Sequence, residues 1–319
     1  MTWTCSAMPR RAPRRYARWS SLGLWGLISY LSLSLLSLSG CYNRNGQPAS
    51  APAPLADVEL APMIAIPAGP FLMGSEPKER EYGYHLDESL HNSTTARQYR
   101  WFETETRRTV ELPAYHIDRT PVTNAAYQVF VSSTGHALPF VTETVWQSYG
   151  LVHGYDAVQR FLWRDHTPPA GREQHPAVLL SHTSAAAYCA WRGKRAGRML
   201  RLPTEAEWEK AARGTEGQYF PWGFSFAASH LNSYDQGPYD TVPVGQYPQG
   251  QSPYGVLDMA GQVFEWTATP WPDNPAKYVV KGGSWDDLPG VTRSAARHGR
   301  PADLKHILIG FRCASSEAN

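Results

Sequence analysis

The chain has 319 residues, with 30 Lys and Arg against 28 Asp and Glu, a formal charge of +2. No Lys/Arg cluster occurs beyond the N-terminus, which excludes a nucleic-acid binder working through a basic face. The 26 Gly and 26 Pro beside 12 Trp and 17 Tyr predict irregular backbone packed around large aromatics.

The N-terminus decides the compartment. Arg10, Arg11, Arg14, Arg15 and Arg18 precede an uncharged apolar run through Leu38, the layout of a secretory signal. Residues 20–40 are also about long enough to span a bilayer, which leaves a retained membrane helix as the other reading. Leu38-Ser39-Gly40-Cys41 at the end of the run resembles a bacterial lipobox, so residues 1–40 are expected to be cleaved and Cys41 lipidated. More than one acyl chain on that residue would anchor it durably in a membrane. Losing five arginines and no acids takes the formal charge from +2 to −3. Residues 41–62, rich in Pro and Ala, read as an extended tether, and residues 63–319 as the domain.

Three helices stand out in the body. Thr123 caps one over 124–133, ended by Gly135, with Tyr127, Phe130 and Val131 on one face. A second covers 183–192, stopped by Gly193. The third starts at a Thr204/Glu207 capping box, turns Trp208, Ala211 and Ala212 inward, and ends at Gly214. Short strands are expected at 63–66, 71–73, 110–117, 242–244, 278–281 and 309–312. Residues 77–105 and 141–172 read as loop insertions. Beyond Cys5 and Cys41, only Cys189 and Cys313 remain, either a disulfide in an oxidising compartment or two buried thiols.

Eight blocks then occur in order. They are Ile66-Pro-Ala-Gly-Pro-Phe-Leu-Met-Gly-Ser75, Pro121-Val-Thr-Asn124, His175-Pro-Ala-Val178 with Ala187-Tyr-Cys-Ala-Trp191, Arg201-Leu-Pro-Thr-Glu-Ala-Glu-Trp208, Pro221-Trp-Gly223, Ser252 through Glu265-Trp266, Lys281-Gly-Gly-Ser-Trp285 and Gly310-Phe-Arg-Cys313. Together they resemble the formylglycine-generating enzyme family, also called the sulfatase-modifying factor family. The resemblance implies a loop-rich α+β fold related to C-type lectins. It also implies a disulfide between Cys189 and Cys313; the family's second bridge would fall at Ala212 and Ser294, where there is no cysteine.

Catalytic members of the family oxidise a substrate cysteine with oxygen and copper, binding Cu(I) through two cysteines just after the Gly-Gly-Ser motif. Here Ser284 is followed by Trp285, Asp286 and Asp287, with no cysteine. Thiolates select Cu(I) and carboxylates do not, so copper is not expected. Ser284, Trp285, Asp286, Asp287, Arg297 and His298 mark the corresponding pocket, and His306 is a further candidate there. The bland alternative has both aspartates capping a turn and pairing with Arg293 or Arg297, with the histidines at the surface.

The resemblance also implies structural calcium. Asp258, the carbonyls of Gly261 and Val263, and Glu265 match one family site. Asn232 and Ser233, with Asp235 or Asp240 as the acid, match the start of another. Three functions follow as expectations. One is a non-catalytic binding or scaffold lipoprotein of the cell envelope, with an envelope protein or glycan as partner. Another is a metal-dependent oxidoreductase with a divergent site. The last is an inactive partner of a family enzyme or of a sulfatase.

Overall fold

The computed structural model describes residues 62–316. The expected leader, Cys41 and all but the last residue of the tether lie outside the described residues.

In chain order the elements are β1 (Met63–Ile66), β2 (Gly69–Met73), α1 (Pro77–His91), α2 (Thr95–Gln98), β3 (Arg108–Leu112), β4 (Tyr115–Asp118), α3 (Asn124–Thr134), α4 (Glu143–Ser148) and α5 (Tyr155–Val158). There follow α6 (His182–Ala196), α7 (Glu205–Arg213), β5 (Phe264–Trp271), β6 (Asn274–Lys281), β7 (Arg297–Pro301), β8 (Ile309–Gly310) and β9 (Ala314–Ser316). They make a four-stranded sheet ordered β7-β6-β5-β8, a three-stranded sheet β1-β4-β9 and the ribbon β2-β3. All pairings are antiparallel except β5 with β8.

Local chemistry starts and stops the helices. Thr123 accepts from the Ala126 amide at the start of α3, and Gly135 ends it in the left-handed region. The Thr204/Glu207 capping box opens α7 as expected, and Trp208, Ala211 and Ala212 are fully buried.

Several expectations fail for identifiable reasons. The second helix runs three residues past Gly193, to Ala196, and ends at Gly197. Gly193 lies inside it because a Cβ there would sit 2.6 Å from the Arg198 carbonyl oxygen. The strand expected over 110–117 is broken at Pro113: β3 pairs with β2, and β4 with β1. Residues 242–244 form no strand. The supposed loop 77–105 carries α1 and α2, and 141–172 carries α4 and α5. The buried face of α1 is Glu79, Gly83, Tyr84, Leu86 and Asp87, so an apolar period is largely missing from it.

An aromatic core lies between α3 and α6, where Tyr127 stacks on Tyr188 at 5.6 Å and Phe311 packs edge-on to both. The Cys189–Cys313 disulfide joins α6 to the C-terminal segment across a sequence separation of 124. Closing a loop of that length contributes on the order of 5 kcal/mol in the chain-entropy account.

Charges are buried as well. Arg213 pairs with Glu79 at 2.8 Å and Glu209 at 3.0 Å, Lys281 with Glu209 at 2.9 Å, and Arg293 with Glu105 at 3.0 Å and Glu79 at 3.4 Å. Burial pushes Glu79 up to about 7 despite both arginines. Burial would also raise Glu209, but Lys281 and Arg213 outweigh it and hold that carboxyl below its ordinary value. Breaking such a network strands charge in the interior, so Arg213→Met is expected to cost about 3–5 kcal/mol in urea unfolding. A loss under about 1 kcal/mol would show the network to be dispensable.

Candidate functional site

Strand β6 delivers the chain to Gly282 and Gly283, both at positive φ (100° and 71°). Neither tolerates a side chain: a Cβ would meet Trp208 at 3.1 Å from Gly282 and Thr292 at 3.0 Å from Gly283. This turn places Ser284, whose hydroxyl donates to the Asp287 carboxylate and accepts from the Asp286 amide at 3.4 Å. The aspartates therefore do close a turn. They do not pair with Arg293, which is held by Glu79 and Glu105, or with Arg297, which is 2.8 Å from Glu205 and lies over Trp271.

Asp286 and Asp287 line a cavity of about 520 Å³ with His153, Arg300 and His306, walled by Tyr149, Leu151, Phe264, Leu304 and Leu308. His153 comes from the loop between α4 and α5, where its carbonyl accepts from Trp146 Nε1 at 2.7 Å. Its Nε2 lies 2.9 Å from Asp286 Oδ2. Trp285 is buried beneath, 5.7 Å from the His153 ring, with its indole N–H unpartnered. His306 Nδ1 accepts from the Leu308 amide at 3.0 Å, which leaves the proton on Nε2. Burial, reinforced by Arg300 and His153, pushes His306 down to about 3. Burial and the neighbouring Asp286 push Asp287 up to about 6, against Ser284 and Arg300.

The structure thus gathers Ser284, Trp285, Asp286, Asp287 and His306, and leaves Arg297 out. Alternation along β7 turns Arg297 away while His298 and Arg300 share the other face. His298 packs edge-on to Trp101 and Phe264 and does not line the cavity; burial, with Arg300 and Lys281, pushes it down to about 3. Neither His298 nor His306 is a surface group. Arg300 was missed because strand alternation, not proximity to the motif, selects it. His153 was missed because it lies in an insertion with no motif of its own.

The calcium sets were expected at two places. Glu265 accepts from Arg312 through both oxygens, at 2.7 and 2.6 Å, and from Trp208 Nε1 at 2.9 Å. The Asp258 side chain accepts from the Gly245 amide, and Arg312 also reaches the Leu257 and Asp258 carbonyls. A guanidinium therefore stands against the acid that calcium needs, and the set of Asp258, Gly261, Val263 and Glu265 as placed does not fit the ion. At the other place Asn232 Oδ1 is buried without a partner, but Asp235 is taken by His91 and Asp240 by Arg172. Both acids are thus engaged by basic partners, and the set as placed does not present calcium with a free carboxylate. Among the described residues no group of three or more His, Cys, Asp or Glu is placed to hold a metal.

The family copper site fares no better. Cys189 and Cys313 are bonded to each other, and the segment from Ser284 to Arg293 holds no cysteine.

Residues 48–317 match the model of the sulfatase-modifying factor enzyme 1-like domain. The chain belongs to the sulfatase-modifying factor family. Among its relatives is the mouse protein named inactive C-alpha-formylglycine-generating enzyme 2, 31% identical over 80% of this chain and 85% of that one. The formylglycine-generating enzyme of Streptomyces coelicolor is also 31% identical, over 83% of this chain and 96% of its own. The structure of PvdO from Pseudomonas aeruginosa superimposes with a TM-score of 0.61 at 24% identity, covering 80% of this chain and 94% of that one. The loop-rich α+β fold of the family is therefore the fold of this chain.

Two outcomes follow. Glu265→Ala lowers the melting temperature by the same amount in calcium and in chelator, since the lost partner is Arg312; a loss confined to calcium would contradict this. His306, whose folded pKa of about 3 lies below its ordinary 6.5, costs nothing through titration at neutral pH, and a penalty on folding builds as pH falls from 6.5 towards 3, where only the unfolded state takes the proton. The stability of wild type relative to His306→Gln should thus fall by roughly 1.4 kcal/mol per pH unit in that window. A flat difference between the two unfolding curves would contradict the buried neutral imidazole.

Proposed function

We propose that the chain is a non-catalytic, ligand-binding member of the sulfatase-modifying factor family, exported and held at an envelope membrane by lipid on Cys41. The observation that carries the first half is the fate of the cysteines. The domain has two, and both are consumed by a disulfide joining α6 to the C-terminal segment. Cuprous oxygen chemistry needs soft thiolates at the turn after Ser284, and that turn offers Asp286 and Asp287 instead.

What supports binding is the cavity itself. It keeps the volume of a small-molecule site, mostly apolar walls and a few convergent polar groups, the usual make-up of a recognition pocket. What supports export is the order of Arg10–Arg18 basic residues, apolar run and Leu38-Ser39-Gly40-Cys41, together with a disulfide that suits an oxidising compartment. Its partner would be an envelope protein or glycan.

The test is direct. The full chain is incubated with a cysteine-containing sulfatase peptide, copper and oxygen, and the peptide mass is followed. No aldehyde is expected, with a known formylglycine-generating enzyme as the positive arm. Conversion of the peptide by this chain would contradict the non-catalytic reading.

A further inference from the structure

Arg300 is set apart from the other interior arginines. Arg213, Arg293 and Arg312 are buried and each is held by carboxylates at hydrogen-bond distance. Arg300 is half-buried and lines the cavity, and its guanidinium makes no hydrogen bond or ion pair with any described residue; the field of Asp287 acts on it without contact. A guanidinium that lines a cavity with its donors unspent is free to meet an anionic group there.

Beside it His306 presents a second donor, because its Nδ1 is fixed as the acceptor and Nε2 carries the proton. Both groups line the same cavity. The same cavity carries two acids. Asp286 uses Oδ2 on His153, and Asp287 uses Oδ2 on Ser284, so each has a second oxygen with no hydrogen bond among the described residues. Leu151, Phe264 and Leu304 add apolar wall to the cavity.

We propose that this cavity recognises a zwitterion with an apolar body: an amino-acid-like ligand whose carboxylate meets Arg300 and His306 and whose ammonium meets Asp287 and Asp286. The claim rests on the ligand-binding reading of the same cavity and adds the chemical class. Charge balance selects it. An anion alone would complete Arg300 but meet Asp287 unrelieved, and a cation alone would do the reverse. A zwitterion satisfies both sides without leaving net charge in a low-dielectric pocket. The planar fork of Arg300 suits a carboxylate in particular. A volume of about 520 Å³ has room for a ligand the size of an aromatic amino acid.

Calorimetric titration of the purified full chain at neutral pH tests this with three probes: L-phenylalanine, 3-phenylpropionate, which lacks the ammonium, and 2-phenylethylamine, which lacks the carboxylate. Phenylalanine should bind at least about tenfold more tightly than either half. Arg300→Gln should reduce phenylalanine to the level of phenylethylamine, and Asp287→Asn to that of phenylpropionate. Thermal melts of both variants confirm folding, and the wild-type comparison of probes stands without them. Equal affinity for the three probes, binding of none of them, or unchanged phenylalanine binding by a folded Arg300→Gln protein would overturn the inference. Selectivity for phenylalanine combined with conversion of the sulfatase peptide would sink only the non-catalytic reading. No selectivity and no conversion would sink only the zwitterion.

Discussion

Three buried carboxylates, Glu79, Glu105 and Glu209, face three buried cations, Arg213, Lys281 and Arg293, and the rest of the domain is arranged to keep them so. Placing ions in an interior is tolerable only when each is paired and its remaining donors and acceptors are met. That condition recruits five parts of the chain at once. Helix α1 brings Glu79, the loop before β3 brings Glu105, α7 brings Glu209 and Arg213, the end of β6 brings Lys281, and the loop before β7 brings Arg293. Gly83 exists in α1 because a Cβ there would lie 2.5 Å from Arg293 Nε. Asp87, one turn on, accepts from the Gly290 amide at 2.7 Å and fastens the same loop.

The cavity is a consequence of that fastening. Lys281 is the last residue of β6, and the two glycines that follow turn against Trp208 and Thr292. With both sides of the 284–290 segment held, Asp286 and Asp287 have one place to go, beside β7 and the incoming His153. The network thus acts on function at a distance, by positioning groups that it does not touch.

Much of this was legible in the residues themselves. Thr123 with Gly135, and Thr204 with Glu207, announce helices because capping is local chemistry that tertiary packing did not override. Helix α1 was illegible for the opposite reason: its inward face carries Glu79 and Asp87, and a search for apolar periodicity reads buried carboxylates as solvent-facing. The turn at Ser284 could be read from its motif, and its aspartates line the cavity. Arg297 does not, since one step along a strand reverses the face. His153 had no signal, because an insertion is located by the fold and not by its own pattern. The calcium sets were read from the family resemblance, and matching residues along the chain does not reveal that Arg312 reaches Glu265 from far away in sequence.

The central claim is that the turn after Ser284 has exchanged a soft-metal site for a charge-built recognition pocket. The most direct measurement is a Cu(I) competition, in which the oxidised protein is titrated against a chromophoric cuprous chelator under anaerobic conditions. The account predicts that the chelator keeps its copper with the Cys189–Cys313 bridge intact. Stoichiometric transfer of Cu(I) to the folded, disulfide-bonded protein would contradict it.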